Sequence, residues 1–225
     1  MRLEGKVAFI TGAGRGIGRS IGLALARDGA KIAVTGRTKE RRDQVADEII
    51  AAGGDARPFV LDVTKDEEVV EAVRQVLETW GKIDILVSNV AIRPHKPILE
   101  VSNEEWDMVM RTNLFPAFYL IKAVLPGMME RRIGSIIALG GQAAITGRPE
   151  TISVTSAKHG LLGMLRAVAA EMAPYNIRAN IVNPGSTDTE RRNPEWYPEF
   201  QQVDRRPDPS LVALRQRGRL AQLVG

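Results

Sequence analysis

Short apolar runs alternate with longer amphipathic segments through most of this 225-residue chain. Runs of four to six residues rich in Val and Ile, bounded by turn residues, are typical of strands buried on both faces. The predicted strands lie at 7–10, 31–35, 57–61, 83–88, 135–139 and 177–182. The pattern therefore predicts six short strands, each followed or preceded by a longer element.

Apolar residues in the intervening segments recur with a helical period. From Ile17 onward they form one broad face. Further predicted helices cover 39–52, 65–80, 102–131 and 153–173, and the helix at 102–131 is broken near Pro116 and Pro126. Alternating strands and helices predict an α/β fold with a parallel, doubly wound sheet and right-handed crossovers. We expect residues 1–225 to form a single domain, because the length suits one sizeable core.

A glycine-rich turn joins the first strand to the first helix. The pattern is T-G-x-x-x-G-x-G, with Thr11, Gly12, Gly16 and Gly18, whereas G-x-G-x-x-G fails because Ile17 replaces its last glycine. Glycines let the backbone approach a pyrophosphate, and a helix N-terminus offers N–H groups to it. The turn predicts a dinucleotide-binding domain; the alternative is a tight strand–helix turn that binds nothing.

Composition narrows the function classes further. The chain has no Cys and two His, which indicates neither disulfides nor a metal cluster. No signal sequence or membrane span is evident, so we expect a cytoplasmic protein that does not bind membranes. Its arginines come as scattered pairs at 41–42, 131–132, 191–192 and 205–206, which indicates a solvated basic surface and no nucleic-acid partner.

The end of the second strand indicates which dinucleotide is bound. An NAD site usually has a carboxylate there that accepts a hydrogen bond from the adenosine ribose, and Gly36 occupies that position. Arg37 follows, and Arg15 lies inside the glycine turn. Because guanidinium groups suit a 2′-phosphate and no acid repels it, the sequence favours NADP(H) over NAD(H).

These motifs resemble those of the short-chain dehydrogenase/reductase family, and within it the 3-oxoacyl-(acyl-carrier-protein) reductases. The resemblance extends to about residue 190 and implies a Rossmann-type sheet, here with six strands visible and the usual seventh missing. It implies that Asp62 and Val63 read the adenine. Asn89 matches the family pattern after strand four, while Ser88 and Ala91 depart from it. The expected cofactor-binding residues are Gly12, Arg15, Gly16, Ile17, Gly18, Arg37, Asp62, Val63, Asn89, Lys158, Pro184, Gly185 and Thr187.

The resemblance also implies a catalytic set of Ser, Tyr, Lys and Asn. Asn113 and Lys158 match the last two, but Gly141 stands at the serine position and Val154 at the tyrosine position. A missing general acid costs about 10²–10⁴ in rate. His95 could titrate near neutrality and replace it. The remaining polar neighbours, which could only donate hydrogen bonds or point elsewhere, are Gln142, Thr146, Ser153, Thr155 and Ser156.

Two functions follow from these residues. The first is an NADP(H)-dependent oxidoreductase that reduces a carbonyl or 3-oxoacyl substrate, or oxidises an alcohol. The second is a catalytically degenerate member that holds NADP(H) without turnover; a lyase or isomerase using Lys158 has only that residue behind it. The apolar helix 153–173 needs cover on two sides, either as a buried core helix or as a homo-oligomer contact, and the resemblance implies a homodimer or homotetramer. We expect residues 186–225 to form a substrate-loop region and a C-terminal tail. Either the chain is truncated, or a partner or residues 211–223 cover the exposed sheet edge at strand six.

Overall fold

Six parallel strands form one sheet in the computed structural model, which describes residues 1–189. The spatial order is β3-β2-β1-β4-β5-β6. The strands are β1 (Val7–Ile10), β2 (Lys31–Gly36), β3 (Ala56–Val60), β4 (Ile85–Ser88), β5 (Gly134–Leu139) and β6 (Ile177–Val182). All six predicted strands are confirmed, and their ends differ from the predicted ones by no more than two residues. The predicted doubly wound parallel sheet is likewise confirmed.

Six α-helices connect the strands. They are α1 (Gly16–Arg27), α2 (Lys39–Ala51), α3 (Asp66–Trp80), α4 (Asn103–Asn113), α5 (Phe115–Arg131) and α6 (Ile152–Met172). The predicted break near Pro116 falls at Leu114, which leaves the proline in the first turn of α5, where its missing N–H costs nothing. The break predicted near Pro126 is wrong, because the helix continues through this proline. Pro126 lies on the exposed side of α5, so water can donate to the carbonyl four residues earlier, which has lost its N–H partner.

The strands bury both of their faces. Val7 and Phe9 of β1 point to one side, where α3, α5 and α6 supply residues such as Leu120. Ala8 and Ile10 point to the other side and pack against α1 and α2. Because successive strand residues alternate between faces, this two-sided cover explains why the strands are continuous apolar runs.

The chain reverses direction across the sheet between β1 and β4. From β1 it continues to β2 on one side, while β4 pairs with β1 on the other. In doubly wound sheets, ligands bind outside the carboxyl ends of the strands at this switch point. The segments that follow β1 and β4 are the glycine turn and the Asn89 segment, so the topology brings the two predicted motifs to one place.

One stretch differs from the sequence expectation about membrane spans. Residues 103–131 are long and apolar enough to cross a bilayer by length and composition alone. In the structure this stretch is the pair α4 and α5, whose Leu120 and Met128 are fully buried in the protein core. Core helices of soluble proteins pass the same test, so this is weak evidence for a membrane span.

Residues 1–191 form one compact unit. The second unit, 192–225, lies outside the described residues, as do the predicted 211–223 segment and most of the predicted tail.

Candidate cofactor and active site

The glycine turn leaves no room for side chains. Gly12 and Gly16 have φ of +63° and +52°, which L-residues rarely adopt. A Cβ added to Gly18 would lie less than 3.0 Å from the carbonyl oxygen of Gly12 and 2.7 Å from Nδ2 of Asn89. The backbone of the turn is therefore bare where it meets the N-terminus of α1, and it fits the pyrophosphate of a dinucleotide.

Thr11 and Asn89 join the two segments at the switch point. The Asn89 side-chain amide donates to the carbonyl of Thr11 at 2.9 Å, and the Asn89 backbone N–H donates to the Thr11 hydroxyl at 2.8 Å. The same hydroxyl accepts from the N–H of Val90 at 3.3 Å. Asn89 was predicted to touch the cofactor, and in this structure it holds the glycine turn in place. The sequence places Thr11 in the glycine motif without predicting this role. Its position directly after the first strand is the feature that points to it.

The ends of β2 and β3 place two more predicted residues together. Arg37 donates to Asp62 at 3.3 Å, and Asp62 also accepts from the N–H and hydroxyl of Thr64. Burial raises the pKa of Asp62, but these hydrogen bonds and the Arg37 charge outweigh it, so the pKa lies below its usual value. Val63 is buried beneath them. The carboxylate is thus ionised and paired with Arg37 at the ends of β2 and β3, where the adenosine is expected.

The basic residues around this place are less solvated than the sequence predicted. Arg15 is the N-cap residue of α1 and is half-buried, and Arg41 is half-buried too. Arg42 is only 5% exposed, so the prediction of a solvated basic surface is wrong for this residue. The reason is its position on the face of α2 that packs against the sheet, together with Val45 and Ile49.

Lys158 lies on α6 and is 4% exposed. Its ammonium donates a 2.6 Å hydrogen bond to the carbonyl of Leu139, the last residue of β5. Burial, and secondarily the charge of Arg93, lowers the pKa of Lys158 to about 8. A buried cation is therefore held at the carboxyl edge of the sheet, which is where a nicotinamide ribose is expected.

The side chain of Asn113, the other predicted catalytic residue, is hydrogen-bonded to a neighbouring loop. Its side-chain carbonyl accepts from the N–H of Ile92 and its amide donates to the carbonyl of Ile92, both at 2.8 Å. The hydrogen bonds that the structure gives this side chain go to that residue. In this arrangement Asn113 fixes the loop that carries Arg93 and His95.

The positions expected for serine and tyrosine hold no hydroxyl. Val154 is 3% exposed and packs with Val109 and Ala157. Gly141 has φ of +78°, and among residues 1–189, its two chain neighbours apart, a Cβ placed there has only the Pro184 carbonyl oxygen within 4 Å. The site therefore has open space at 141 and an apolar surface at 154.

Neither tyrosine among the described residues reaches this site. Tyr119 lies on α5 against the core and meets the Phe118 ring edge-on. Tyr175 directly precedes β6, which places it at the amino edge of the sheet, opposite the site. The third tyrosine, Tyr197, lies outside the described residues.

Most of the polar residues near the missing serine and tyrosine make hydrogen bonds to other residues. Thr155 shares a hydrogen bond with Thr151, Gln142 accepts from Arg148, and the Thr146 hydroxyl donates back to Gln142. Ser153 is buried and Ser156 is half-buried on α6, and His95 is half-buried in its loop. The hydrogen bonds named here for Gln142, Thr146 and Thr155 do not go to Lys158.

The segment after β6 passes over the glycine turn. Pro184 is half-buried, and the Thr187 hydroxyl donates to the carbonyl of Gly185 at 3.3 Å. A Cβ at Gly16 would lie 3.5 Å from the Thr189 side chain. Thr189 therefore brings the end of this segment next to the glycine turn, while the predicted binding residues Pro184, Gly185 and Thr187 precede it by two to five residues.

Comparison with known proteins identifies the family. A model of the short chain dehydrogenases matches residues 6–198. The chain is 37% identical over 189 residues to a 3-oxoacyl-[acyl-carrier-protein] reductase of Thermotoga maritima, covering 84% of this chain and 77% of that one. It is 36% identical over 197 residues to the 2,3-dihydro-2,3-dihydroxybenzoate dehydrogenase of Bacillus subtilis, covering 88% and 76%.

Solved structures of short-chain oxidoreductases have the same fold as this chain. A metagenomic short-chain oxidoreductase in complex with NADP superposes with a TM-score of 0.79 at 32% identity, covering 83% of this chain and 85% of that one. A dehydrogenase/reductase from Sinorhizobium meliloti gives 0.79 at 35% identity, covering 84% and 75%. Given a match of this extent in both sequence and fold, the chain belongs to the short-chain dehydrogenase family of nicotinamide-dependent oxidoreductases.

Proposed function

We propose that this chain is an NADP(H)-dependent oxidoreductase that reduces a small carbonyl substrate or oxidises the corresponding alcohol. The observation that carries the choice of cofactor is the end of β2, where Gly36 replaces an acid and Arg37 follows it. A neutral residue there leaves a 2′-phosphate unopposed, and a guanidinium can bind it through paired hydrogen bonds. The NADP complex of a relative supports this choice.

When bound, NADPH supplies the hydride, and the residues of this chain position it. The bare turn from Gly12 to Gly18 receives the pyrophosphate, and Asp62 and Val63 flank the adenine. Lys158 binds the nicotinamide ribose, and Pro184, Gly185 and Thr187 flank the nicotinamide. Because Lys158 is already anchored to Leu139, its ammonium needs little reorganisation to serve this purpose.

At positions 141 and 154 the site lacks the side chains that would polarise and protonate the substrate oxygen. Val154 cannot donate a proton, and Gly141 cannot polarise a carbonyl oxygen. We expect turnover about 10²–10⁴ below that of a site with a positioned phenol. These two residues favour a second candidate, a member that binds NADP(H) without turnover, whereas the named activities of the relatives favour the oxidoreductase.

The substrate class follows the relatives, which include 3-oxoacyl-carrier-protein reductases. We propose a 3-oxoacyl thioester or a related ketone, and a cytoplasmic protein. A homodimer or homotetramer is supported by Phe115 and Phe118 of α5, which are 39% and 52% exposed beside the apolar helix α6.

The test follows NADPH oxidation in the presence of a panel of 3-oxoacyl thioesters and ketones, with Lys158→Met as the inactive control. Carbonyl-dependent oxidation that Lys158→Met abolishes supports the oxidoreductase. Tight NADPH binding without any oxidation supports the second candidate. A protein that binds neither NADPH nor NADH contradicts both.

A further inference from the structure

Arg42 carries a buried positive charge that the site described above does not use. It lies in the first turns of α2 and is 5% exposed. Its Nε and Nη1 atoms are buried and make no hydrogen bond in the described part of the chain. A guanidinium is always charged, and burying it without a partner is strongly unfavourable. A bound anion would compensate this charge.

The side chain extends toward the predicted adenosine site. Helical Cα–Cβ bonds tilt toward the helix N-terminus, so a long side chain at this position covers the start of α2. A Cβ at Gly36 would lie 3.7 Å from Cγ and 3.9 Å from Cδ of Arg42. The preceding residue, Arg41, meets the glycine turn, where a Cβ at Gly14 would lie 3.1 Å from its Cβ. The first turns of α2 therefore lie between the end of β2 and the glycine turn.

The described acids near this side chain are already paired with other cations. Asp62 accepts from Arg37 at 3.3 Å, and Asp43 accepts from Lys39 at 2.5 Å. The Arg37 side chain is 55% exposed and shares its charge with Asp62, so it can still donate to a 2′-phosphate, but its charge is already partly compensated. Arg42 has no such partner among the described residues, so its charge is the uncompensated one beside Gly36.

We propose that Arg42 is a determinant of NADP(H) binding whose charge is balanced by the 2′-phosphate. This inference rests on the proposed NADP(H) dependence and adds to it a residue on the buried side of the pocket. A phosphate is a dianion and can neutralise a guanidinium, whereas the ribose hydroxyl of NAD(H) is neutral and leaves it uncompensated. Arg42 thus lowers the stability of the ligand-free protein and raises its selectivity.

The test measures thermal unfolding of the full chain in phosphate-free buffer, with 2′,5′-ADP and 5′-AMP as probes that differ only in the 2′-phosphate. We expect 2′,5′-ADP to stabilise the wild type more than 5′-AMP does. Arg42→Leu and Arg42→Gln should bind 2′,5′-ADP about ten- to hundredfold more weakly and 5′-AMP unchanged. Arg27→Leu, which removes an exposed arginine at the end of α1, is the matched control and should behave as the wild type.

The ligand-free variants supply a second readout. Because Arg42 is an unpaired buried charge, Arg42→Leu should unfold at a temperature equal to or above that of the wild type. An Arg42→Leu protein that fails to fold or unfolds earlier, or variants that keep the preference for 2′,5′-ADP, overturns the inference while the NADP(H) dependence stands. A wild type that shows no preference for 2′,5′-ADP contradicts the NADP(H) dependence itself.

Discussion

The Lys158 ammonium and the Leu139 carbonyl are joined by a 2.6 Å hydrogen bond that ties α6 to the carboxyl end of β5. The bond partly offsets the burial of a cation, and it also fixes where that cation sits in the site. Burial and the nearby Arg93 charge together keep the pKa of Lys158 near 8.

The pH dependence of stability tests this burial. Lys158 has a pKa of about 8 in the folded protein and 10.5 ordinarily, so between these values the unfolded chain binds more protons and stability rises with pH. Below pH 8 the full penalty remains. Relative to Lys158→Met, the wild type should gain about 3 kcal/mol in free energy of unfolding from pH 7 to 10.5, measured by urea denaturation. The exposed Lys122→Met is the control, and parallel profiles for wild type and Lys158→Met would show that the lysine is not buried as described.

The tight packing of the glycine turn against the start of α1 predicts opposite effects on stability for alanine substitutions at two glycines of this helix. Gly18→Ala would force its Cβ into the Gly12 carbonyl, so we expect a large loss of stability and no NADPH binding. Gly22→Ala meets only ordinary contacts, at 3.7 Å from Ile10 and Ile32, and should stabilise the helix by about 0.5–1 kcal/mol. Thermal unfolding and NADPH titration of both variants check this. Equal behaviour of the two variants would exclude the tight approach at Gly18.

Asn113 should matter for the structure of the loop after β4. Asn113→Ala leaves both backbone groups of Ile92 without their partner, which should cost about 1–3 kcal/mol in free energy of unfolding. Asn103→Ala changes an exposed residue of the same helix and should cost less than about 0.5 kcal/mol. Urea denaturation measures both, and similar costs would mean that the Asn113 hydrogen bonds contribute little.

A phenol placed one helical turn before Lys158 should increase turnover. We expect Val154→Tyr to raise carbonyl-dependent NADPH oxidation by about 10²–10⁴. Val154→Phe adds the same ring without the hydroxyl and is the matched control. Gly141→Ser should help less, because φ of +78° with ψ of −177° is a conformation adopted almost only by glycine and costs another residue about 1–3 kcal/mol. If the Tyr and Phe variants have equal rates, the phenol is not what the site lacks.

Much of the fold follows from local patterns that the sequence displays. The strands are short apolar runs between turn residues, and the switch point follows from their order. The glycine turn and Asn89 could be assigned to one site because both follow strands that are adjacent at that point.

The partners of individual side chains could not be read in this way. The amide of Asn113 is bonded to Ile92 across 21 residues, and no spacing rule indicates that pairing. Arg42 is more instructive, since it stands three, four and seven residues before Val45, Ala46 and Ile49 and so lies on the buried stripe of α2. The periodicity is visible in the sequence, but a charged residue in such a stripe more often lies at the surface, so the pattern alone does not predict its burial.

Calorimetric titration of the wild-type protein with NADPH and with NADH tests the proposed function most directly, since it needs neither a substrate nor a proton donor. We expect one dinucleotide per chain, with NADPH bound at least about tenfold more tightly than NADH because of the acid-free, arginine-lined end of β2. Equal affinities, a preference for NADH, or no binding of either dinucleotide would contradict it.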